Sequence, residues 1–189
     1  MVKTSPCLPL GDDEWPVEIE DLKGGFAGTL NVYRTMAHHP ALLRAWAPLR
    51  QHIVKDSALG AVRSELVILR CAHRMDSVYE WAHHVSRARA LGLSDARIQG
   101  MRGLPEGEDG LIARAVDALF NFAKLPVATE REISATFGKH AVFDLMATVG
   151  FYAVLGFVLK TYDTPLDEAV ARELAHTGSS LGSPMLPSA

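Results

Sequence analysis

The residues from Ser77 to His84 are the densest set of side chains in this sequence that could transfer protons. On a helix, Glu80 and His84 are four residues apart and share one face, and Ser77 lies one turn earlier on the same side. A carboxylate and an imidazole together can hold, release and accept a proton near neutral pH. This spacing therefore predicts a site for acid–base chemistry.

Glu65 is a second candidate because it interrupts a very apolar run next to residues 66–69. The connection from this predicted helix to the next is short, so the two helices are expected to pack antiparallel. A carboxylate on such a helix is costly to bury unless it is paired. His84 or Tyr79 on the facing helix is a natural partner, and the sequence thus predicts two carboxylates and an imidazole between facing helices.

The same residues also permit non-catalytic interpretations. Glu80 in a first helical turn favours the helix dipole by itself, and glutamate–histidine pairs four residues apart also occur on surface helices. His83 and His84 point about 100° apart, so at most one of them faces the site centrally. Trp81 adjoins the cluster, but packing alone is sufficient reason for a tryptophan at this place.

The residues required for metal or disulfide chemistry form no complete set. Glu65, Glu80 and His84 could supply oxygen and nitrogen ligands, but their spacing matches no closed zinc signature and no HExxH pattern occurs. We therefore expect neither a metal nor another cofactor. Cys7 and Cys71 are far apart and form no CxxC pair, and Cys71, within an apolar run, is expected to be an inert core thiol.

Composition limits the class of protein. The 189 residues are 48% hydrophobic, enough for one domain with a real core, and the formal charge is −3 without a run of Lys or Arg. Nucleic acid is therefore not an expected partner. The use of only two cysteines fits a reducing cytoplasm, and the N-terminal residues lack the apolar region of a signal peptide.

One segment, residues 141–159, is nearly all apolar and about long enough to span a bilayer. It contains Asp144, and the rest of the chain consists of amphipathic helical segments. We therefore predict that this segment is a buried central helix between other helices or between subunits, and we expect no membrane partner.

Apolar residues recur at helical spacing along the chain, and no sustained alternation of period two occurs, so the sequence predicts an all-α protein. Residues 1–24 are expected to be an arm against the body or a neighbouring subunit, residues 25–175 a multi-helix bundle, and residues 176–189 a flexible tail. The main predicted helices cover roughly residues 26–37, 41–53, 59–74, 77–92, 110–124, 129–136, 139–162 and 165–175.

Two stretches, residues 63–98 and 137–165, resemble the carboxymuconolactone decarboxylase family, which also contains the AhpD-like alkylhydroperoxidases. The YEWAHH segment and the Gly-Phe-Tyr step of the later helix carry much of this likeness, which spans roughly residues 25–165. The resemblance implies an AhpD-like helical fold and self-association into trimers or hexamers.

In the peroxidase branch of that family, a Glu, a CxxC pair and a His occur at fixed spacing. The resemblance places Glu65 and His84 at the Glu and His positions, and Ser77 and Glu80 at the positions of the two cysteines. Tyr79 falls where that branch often has a His. Because disulfide exchange requires a thiolate, the resemblance implies that peroxidase activity is lost. The decarboxylase branch, which also lacks the thiol pair, is the better guide.

The resemblance therefore implies a cofactor-free lyase that performs acid–base chemistry on a small organic acid or lactone. Glu80 and His84 are the expected proton-transfer pair, and Glu65 is the expected orienting carboxylate. The candidate substrate-binding residues around them are Ser77, Tyr79, Trp81 and His83.

Decarboxylation leaves electron density that a conjugated carbonyl must absorb. Tyr79 is a candidate donor to that developing oxyanion, and Arg63, Arg70 or Arg74 is a candidate for holding a substrate carboxylate. Two other functions stay open: a thiol-dependent peroxidase or antioxidant role using either cysteine, and a non-catalytic oligomer that binds a small molecule.

Overall fold

Helices form the regular structure of residues 7–177, the part of the chain that the computed structural model describes, and no strand occurs in that part. The all-α prediction is confirmed. Of the flexible tail predicted over residues 176–189, residues 178–189 lie outside the described residues, and the first two positions belong to the last helix. The helices are α1 (Glu20–Lys23), α2 (Phe26–Thr29), α3 (Asn31–Met36), α4 (Pro40–Gln51), α5 (Gly60–Arg74), α6 (Val78–Ala90), α7 (Asp95–Gly100), α8 (Gly107–Phe122), α9 (Val127–Phe137), α10 (Lys139–Thr161) and α11 (Glu168–Thr177).

The centre of the fold is formed by α5, α6 and α10. Six consecutive residues of α5, residues 66–71, are almost fully buried, and α5 packs against both α6 and α10. Such continuous burial requires neighbouring helices on several sides of α5. It explains why the sequence of this helix is apolar nearly all round and not only along one narrow stripe. The two central neighbours of α5 are therefore the helices that can meet Glu65.

The helix α10 is long and apolar enough to cross a membrane by length and composition, but more than half of its apolar stretch is buried inside the fold. It packs against α5, α9 and α3. Its carboxylate at Asp144 accepts hydrogen bonds from the backbone N–H of Ala58 (2.6 Å) and pairs with His52 Nε2 (2.8 Å). These contacts give α10 the position of a core helix, as the sequence predicts.

The turn between α5 and α6 reverses the chain within three residues. Asp76 adopts a left-handed backbone conformation with φ of 49°, one that aspartate tolerates better than most residues. Ser77 then starts α6, and its Oγ accepts a hydrogen bond from the backbone N–H of Glu80 (3.4 Å). The two helices consequently pack antiparallel, with Glu65 opposite the second turn of α6.

The segment before α4 differs from the prediction of one helix over residues 26–37. Leu30 is extended (φ −120°, ψ 130°) and separates α2 from α3. The first N–H of α3, that of Asn31, is bound by the carboxylate of Asp167, 136 residues further along the chain (2.8 Å). Since this partner is so distant in sequence, the break has no local signal. The result is a short helix, α3, that packs against α10 and is hydrogen-bonded to Tyr79 of α6.

Candidate active site

Three side chains form a row between α5 and α6. His84 Nδ1 lies 2.6 Å from Glu65 Oε2, and His84 Nε2 lies 3.3 Å from Glu80 Oε2. Only 2% of the His84 side chain, 6% of the Glu80 side chain and 13% of the Glu65 side chain are exposed. The sequence therefore predicted the right three neighbours, and both nitrogens of the imidazole face a carboxyl group.

The electrostatics of the row favour the protonated imidazole. Burial alone lowers the pKa of His84, but the charge and hydrogen bond of Glu65, together with the hydrogen bond of Glu80, outweigh burial and raise it. With both nitrogens protonated, the imidazole can donate to one carboxyl group on each side. Moving one proton from His84 Nε2 to Glu80 Oε2 would yield a neutral imidazole and a carboxylic acid. The row can thus present a proton at Glu80.

One oxygen of this row has no hydrogen-bond partner. Glu80 Oε1 is buried and accepts no hydrogen bond from the described residues, although a buried carboxylate oxygen is normally paired. Glu80 also lines a cavity of about 20 Å³, which is room for roughly one water molecule. The cavity is lined by Leu30, Val32, Tyr33, Tyr79, Glu80, His83, His84, Arg87, Tyr152 and Leu155.

The next histidine of α6 belongs to a different network. His83 Nδ1 binds the backbone carbonyl of Tyr79 (2.8 Å), and His83 Nε2 lies 2.7 Å from Asp167 Oδ2. The Tyr79 hydroxyl donates to the same Asp167 oxygen and accepts from the backbone N–H of Val32. Burial by itself would raise the pKa of Asp167. The hydrogen bonds from His83 and Tyr79 have the opposite and larger effect, so the net shift of the pKa is downward. Asp167 is therefore a carboxylate that fastens α6 to α3.

These contacts bear on the predicted substrate-binding residues. His83 and Tyr79 line the cavity, but the Tyr79 hydroxyl is engaged by Asp167 and is not available to an oxyanion. Ser77 caps α6 and does not line the cavity. Trp81 does not line it either; its ring packs under the guanidinium of Arg102 at 4.1 Å. Substrate binding by these four residues stays a prediction.

The arginines proposed from the sequence are engaged elsewhere. Arg63 binds Glu108, while Arg70 and Arg74 both bind Asp117. None of the three lines the cavity.

The arginine that does line the cavity is Arg87, which sequence reasoning missed. Its guanidinium has no hydrogen bond or ion pair with the described residues. Burial lowers its pKa, but the nearby acidic groups of Tyr152, Glu65 and Glu80 outweigh burial and raise it. A signal was present in the sequence, because positions 80, 84 and 87 follow the three-and-four spacing of one helix face.

A tyrosine of α10 completes the cavity wall. The ring of Tyr152 meets that of His84 edge-on, with centroids 5.1 Å apart. Its side chain is 4% exposed, and its hydroxyl has no hydrogen bond among the described residues. Burial and the negative charge of Glu80 both raise the pKa of Tyr152, so its hydroxyl stays a proton donor at neutral pH. No local pattern links Tyr152 to residues 65–84.

Residues 7–177 contain no group of three or more His, Cys, Asp or Glu arranged to hold a metal ion. Cys71 is 1% exposed, and burial together with the charge of Glu80 raises its thiol pKa. The arrangement around His84 is therefore suited to moving protons, with a free acceptor oxygen, a cation and a phenol around one small space.

The comparisons with known proteins agree with this architecture. No curated protein sequence matches the chain. Two solved structures share its fold with a TM-score of 0.71 each. One, an uncharacterized peroxidase-related protein from Silicibacter sp. TM1040, is 16% identical and aligns over 90% of this chain and 97% of its own. The other, a cysteine-to-alanine variant of the debrominase Bmp8 in complex with 2,3,4-tribromopyrrole, is 15% identical and aligns over 92% and 98%.

The model of the carboxymuconolactone decarboxylase family matches residues 40–124. This range contains α4 to α8 and the complete row of Glu65, Glu80 and His84, without a CxxC pair. The resemblance noted from the sequence is confirmed: residues 40–124 are similar to the carboxymuconolactone decarboxylase family, and the chain has an AhpD-like fold.

Proposed function

We propose that the chain is a cofactor-free lyase that decarboxylates a small organic acid or lactone by acid–base chemistry. The observation that supports this most directly is the buried, unpartnered Glu80 Oε1 beside a cavity, next to a histidine held between two carboxylates. A buried acceptor without a partner is costly. Its retention in the site is understandable if a substrate or a catalytic water fills the space during turnover.

The proposed step uses the mobile proton of the row. The bond between the substrate's carbon and its carboxylate breaks, CO₂ leaves, and the electron pair moves into a conjugated carbonyl to give an enolate. The carbon then takes the proton from Glu80 or, through it, from His84 Nε2. Glu65 holds His84 in place through Nδ1, and solvent returns one proton after each turnover.

A sulfur-based reaction receives no support from the site. The two cysteine positions of the peroxidase branch are occupied by Ser77, which caps α6, and by Glu80. Cys71 is enclosed in the core, and its raised pKa disfavours the thiolate.

Substrate entry requires the cavity to widen, because its present volume holds about one water. One wall is the start of α3, with Leu30, Val32 and Tyr33. This wall does not continue the helix α2, because the extended residue Leu30 separates α3 from it. Its start is instead held by the hydrogen bond from the Asn31 N–H to Asp167. A small displacement of α3 would admit a substrate without disturbing the α5–α6 pair.

The test is turnover of a panel of small keto acids and unsaturated lactone acids, followed by CO₂ release and, in D₂O, by deuterium incorporation into the product. We expect Glu80→Gln and His84→Ala to lower kcat/KM by about 10² or more, the range for lost general acid–base catalysis. Glu108→Gln is the matched control because Glu108 is on the surface beside Arg63. Retained turnover in both site variants, or no CO₂ release by the wild-type protein from any panel member, would remove the proposal.

A further inference from the structure

We propose that Arg87 and Tyr152 bind the carbonyl oxygen of the substrate and stabilise the negative charge that collects on it. This assignment rests on the proposed decarboxylation and narrows its substrate class. The substrate would be a small acid whose carboxylate is on a saturated carbon, either next to a ketone or lactone carbonyl or joined to one through a carbon–carbon double bond. The site around Glu80 would thereby combine a proton donor with an oxyanion-binding corner.

The first support is that both groups lack a partner within the fold. Arg87 and Tyr152 line the same cavity, and neither polar group forms a hydrogen bond with the described residues. Other cavity groups are engaged: His84 by two carboxylates, and Tyr79 by Asp167. Because buried or partly buried cations are normally paired, an arginine left open toward a cavity is a candidate for binding an anion.

The second support is the division of polarity around the cavity. Glu80 supplies a buried oxygen without a partner, while Arg87 and Tyr152 supply N–H and O–H donors on the cavity wall. A molecule that fits this division has an electron-rich oxygen on one side and a carbon that accepts a proton on the other. An enolate has both features, on an oxygen and a carbon that are two bonds apart.

The direction of charge movement decides which oxygen the arginine binds. The leaving carboxylate loses its charge as CO₂ forms, so holding it with Arg87 would stabilise the ground state and slow the reaction. The conjugated carbonyl gains charge in the same step, so donors placed at that oxygen accelerate it. One carbon–carbon bond breaks, its electron pair moves to the carbonyl oxygen, and one carbon–hydrogen bond forms with the proton from Glu80.

A different role for Arg87 would be to neutralise Glu65 and Glu80 without touching a ligand. The two roles differ in a binding experiment that needs no turnover. Crotonate is a small planar carboxylate that mimics an enolate oxygen, and crotonamide is its uncharged counterpart of nearly equal size. Binding of each is measured by titration in two-dimensional NMR, with shifts expected at the amides around Glu80 and Tyr152.

For the wild-type protein we expect crotonate to bind at least about tenfold more tightly than crotonamide, as expected for a charge-assisted hydrogen bond. Arg87→Met should reduce this preference to within about twofold, and Tyr152→Phe should weaken it. Arg63→Met is the matched control, since it removes a guanidinium that binds Glu108 outside the cavity, and it should keep the preference. Arg87→Lys should give an intermediate value and serves if Arg87→Met fails to fold.

Equal affinities for crotonate and crotonamide in the wild-type protein, undetectable binding of crotonate, or an undiminished preference in Arg87→Met would overturn the assignment. The outcome is independent of the lyase test. Glu80→Gln should lose turnover yet bind crotonate at least as tightly, because a carboxylate beside the ligand has been removed. An Arg87-dependent preference without CO₂ release would leave the anion site standing and end the proposed reaction.

Discussion

Asp167 connects three elements around the cavity, so Asp167→Ala tests how the wall of the site is fastened. One of its oxygens accepts from the backbone N–H of Asn31, and the other is shared by Tyr79 and His83. The substitution removes all three interactions and leaves the Tyr79 hydroxyl and the His83 ring, which are 6% and 5% exposed, without this partner.

The magnitude follows from the groups left behind. A buried donor that loses its acceptor costs about 1–3 kcal/mol, so the two side chains together give about 2–6 kcal/mol. The Asp167 side chain is 12% exposed, and water entering the vacated space moves the value toward the lower half of this range. We expect a loss of about 3 kcal/mol in the free energy of unfolding, or about 6–12 °C in Tm for a chain of this size.

The assay is thermal and urea unfolding at neutral pH, with Asp21→Ala as the matched control. Asp21 pairs with Arg44 on the surface, where the two side chains are 62% and 49% exposed, and such pairs contribute at most about 1 kcal/mol. A Tm loss in Asp167→Ala no larger than that in Asp21→Ala would refute the reasoning.

The pH dependence gives a second check on the same carboxylate. Its pKa in the folded chain is lowered from the ordinary value of 3.8. A carboxyl with a lowered folded-state pKa contributes stability above its ordinary pKa and loses that contribution as the pH falls through the lowered value. The part of the stability difference that comes from titration of Asp167 itself should therefore be unchanged from pH 5 to 7 and shrink only below about pH 4.

Three further predictions concern other parts of the fold. Gly110→Ala should lower the free energy of unfolding by about 1–3 kcal/mol in chemical denaturation, because the added Cβ would lie 2.2 Å from the Pro105 carbonyl oxygen. The control Gly100→Ala has open space around the added Cβ and should be neutral or stabilising by up to about 1 kcal/mol. A thiol reagent should leave Cys71 unlabelled in the folded chain and label it after unfolding, because it is buried and its pKa is raised; labelling in the folded state would contradict this. We also propose self-association through the outer face of α10, where Phe157 is 60% exposed. Light scattering of the wild-type protein should give the mass of a trimer or hexamer, and Phe157→Glu should lower that mass. A monomeric wild-type protein would contradict the proposal.

The helices with strong local signals could be predicted closely from the sequence. The long helix expected over 139–162 is observed at Lys139–Thr161, and the one expected over 59–74 is observed at Gly60–Arg74. The end of α6 was also foreseen, because Gly92 adopts the left-handed conformation (φ 85°) that glycine favours. Apolar periodicity and a glycine at the helix end act over a few residues, which is why one sequence is enough to recognise them.

The features that escaped prediction depend on contacts between distant parts of the chain. The break at Leu30 follows from the binding of the Asn31 N–H by Asp167, and the same carboxylate takes the Tyr79 hydroxyl that the sequence suggested for an oxyanion. Tyr152 reaches the site from α10, 68 positions after His84. These partners have no fixed spacing, so only the folded chain brings them together.

Ser77 and Glu80, which the resemblance places at the cysteine positions of the peroxidase branch, have different contacts in this fold. The Ser77 hydroxyl caps the start of α6. Glu80 instead lies beside His84, whose other ring nitrogen faces Glu65. Under the proposed function, a substrate of this site reacts by proton movement and supplies its own electron sink, and binding of the charged oxygen is the role that we propose for Arg87 and Tyr152.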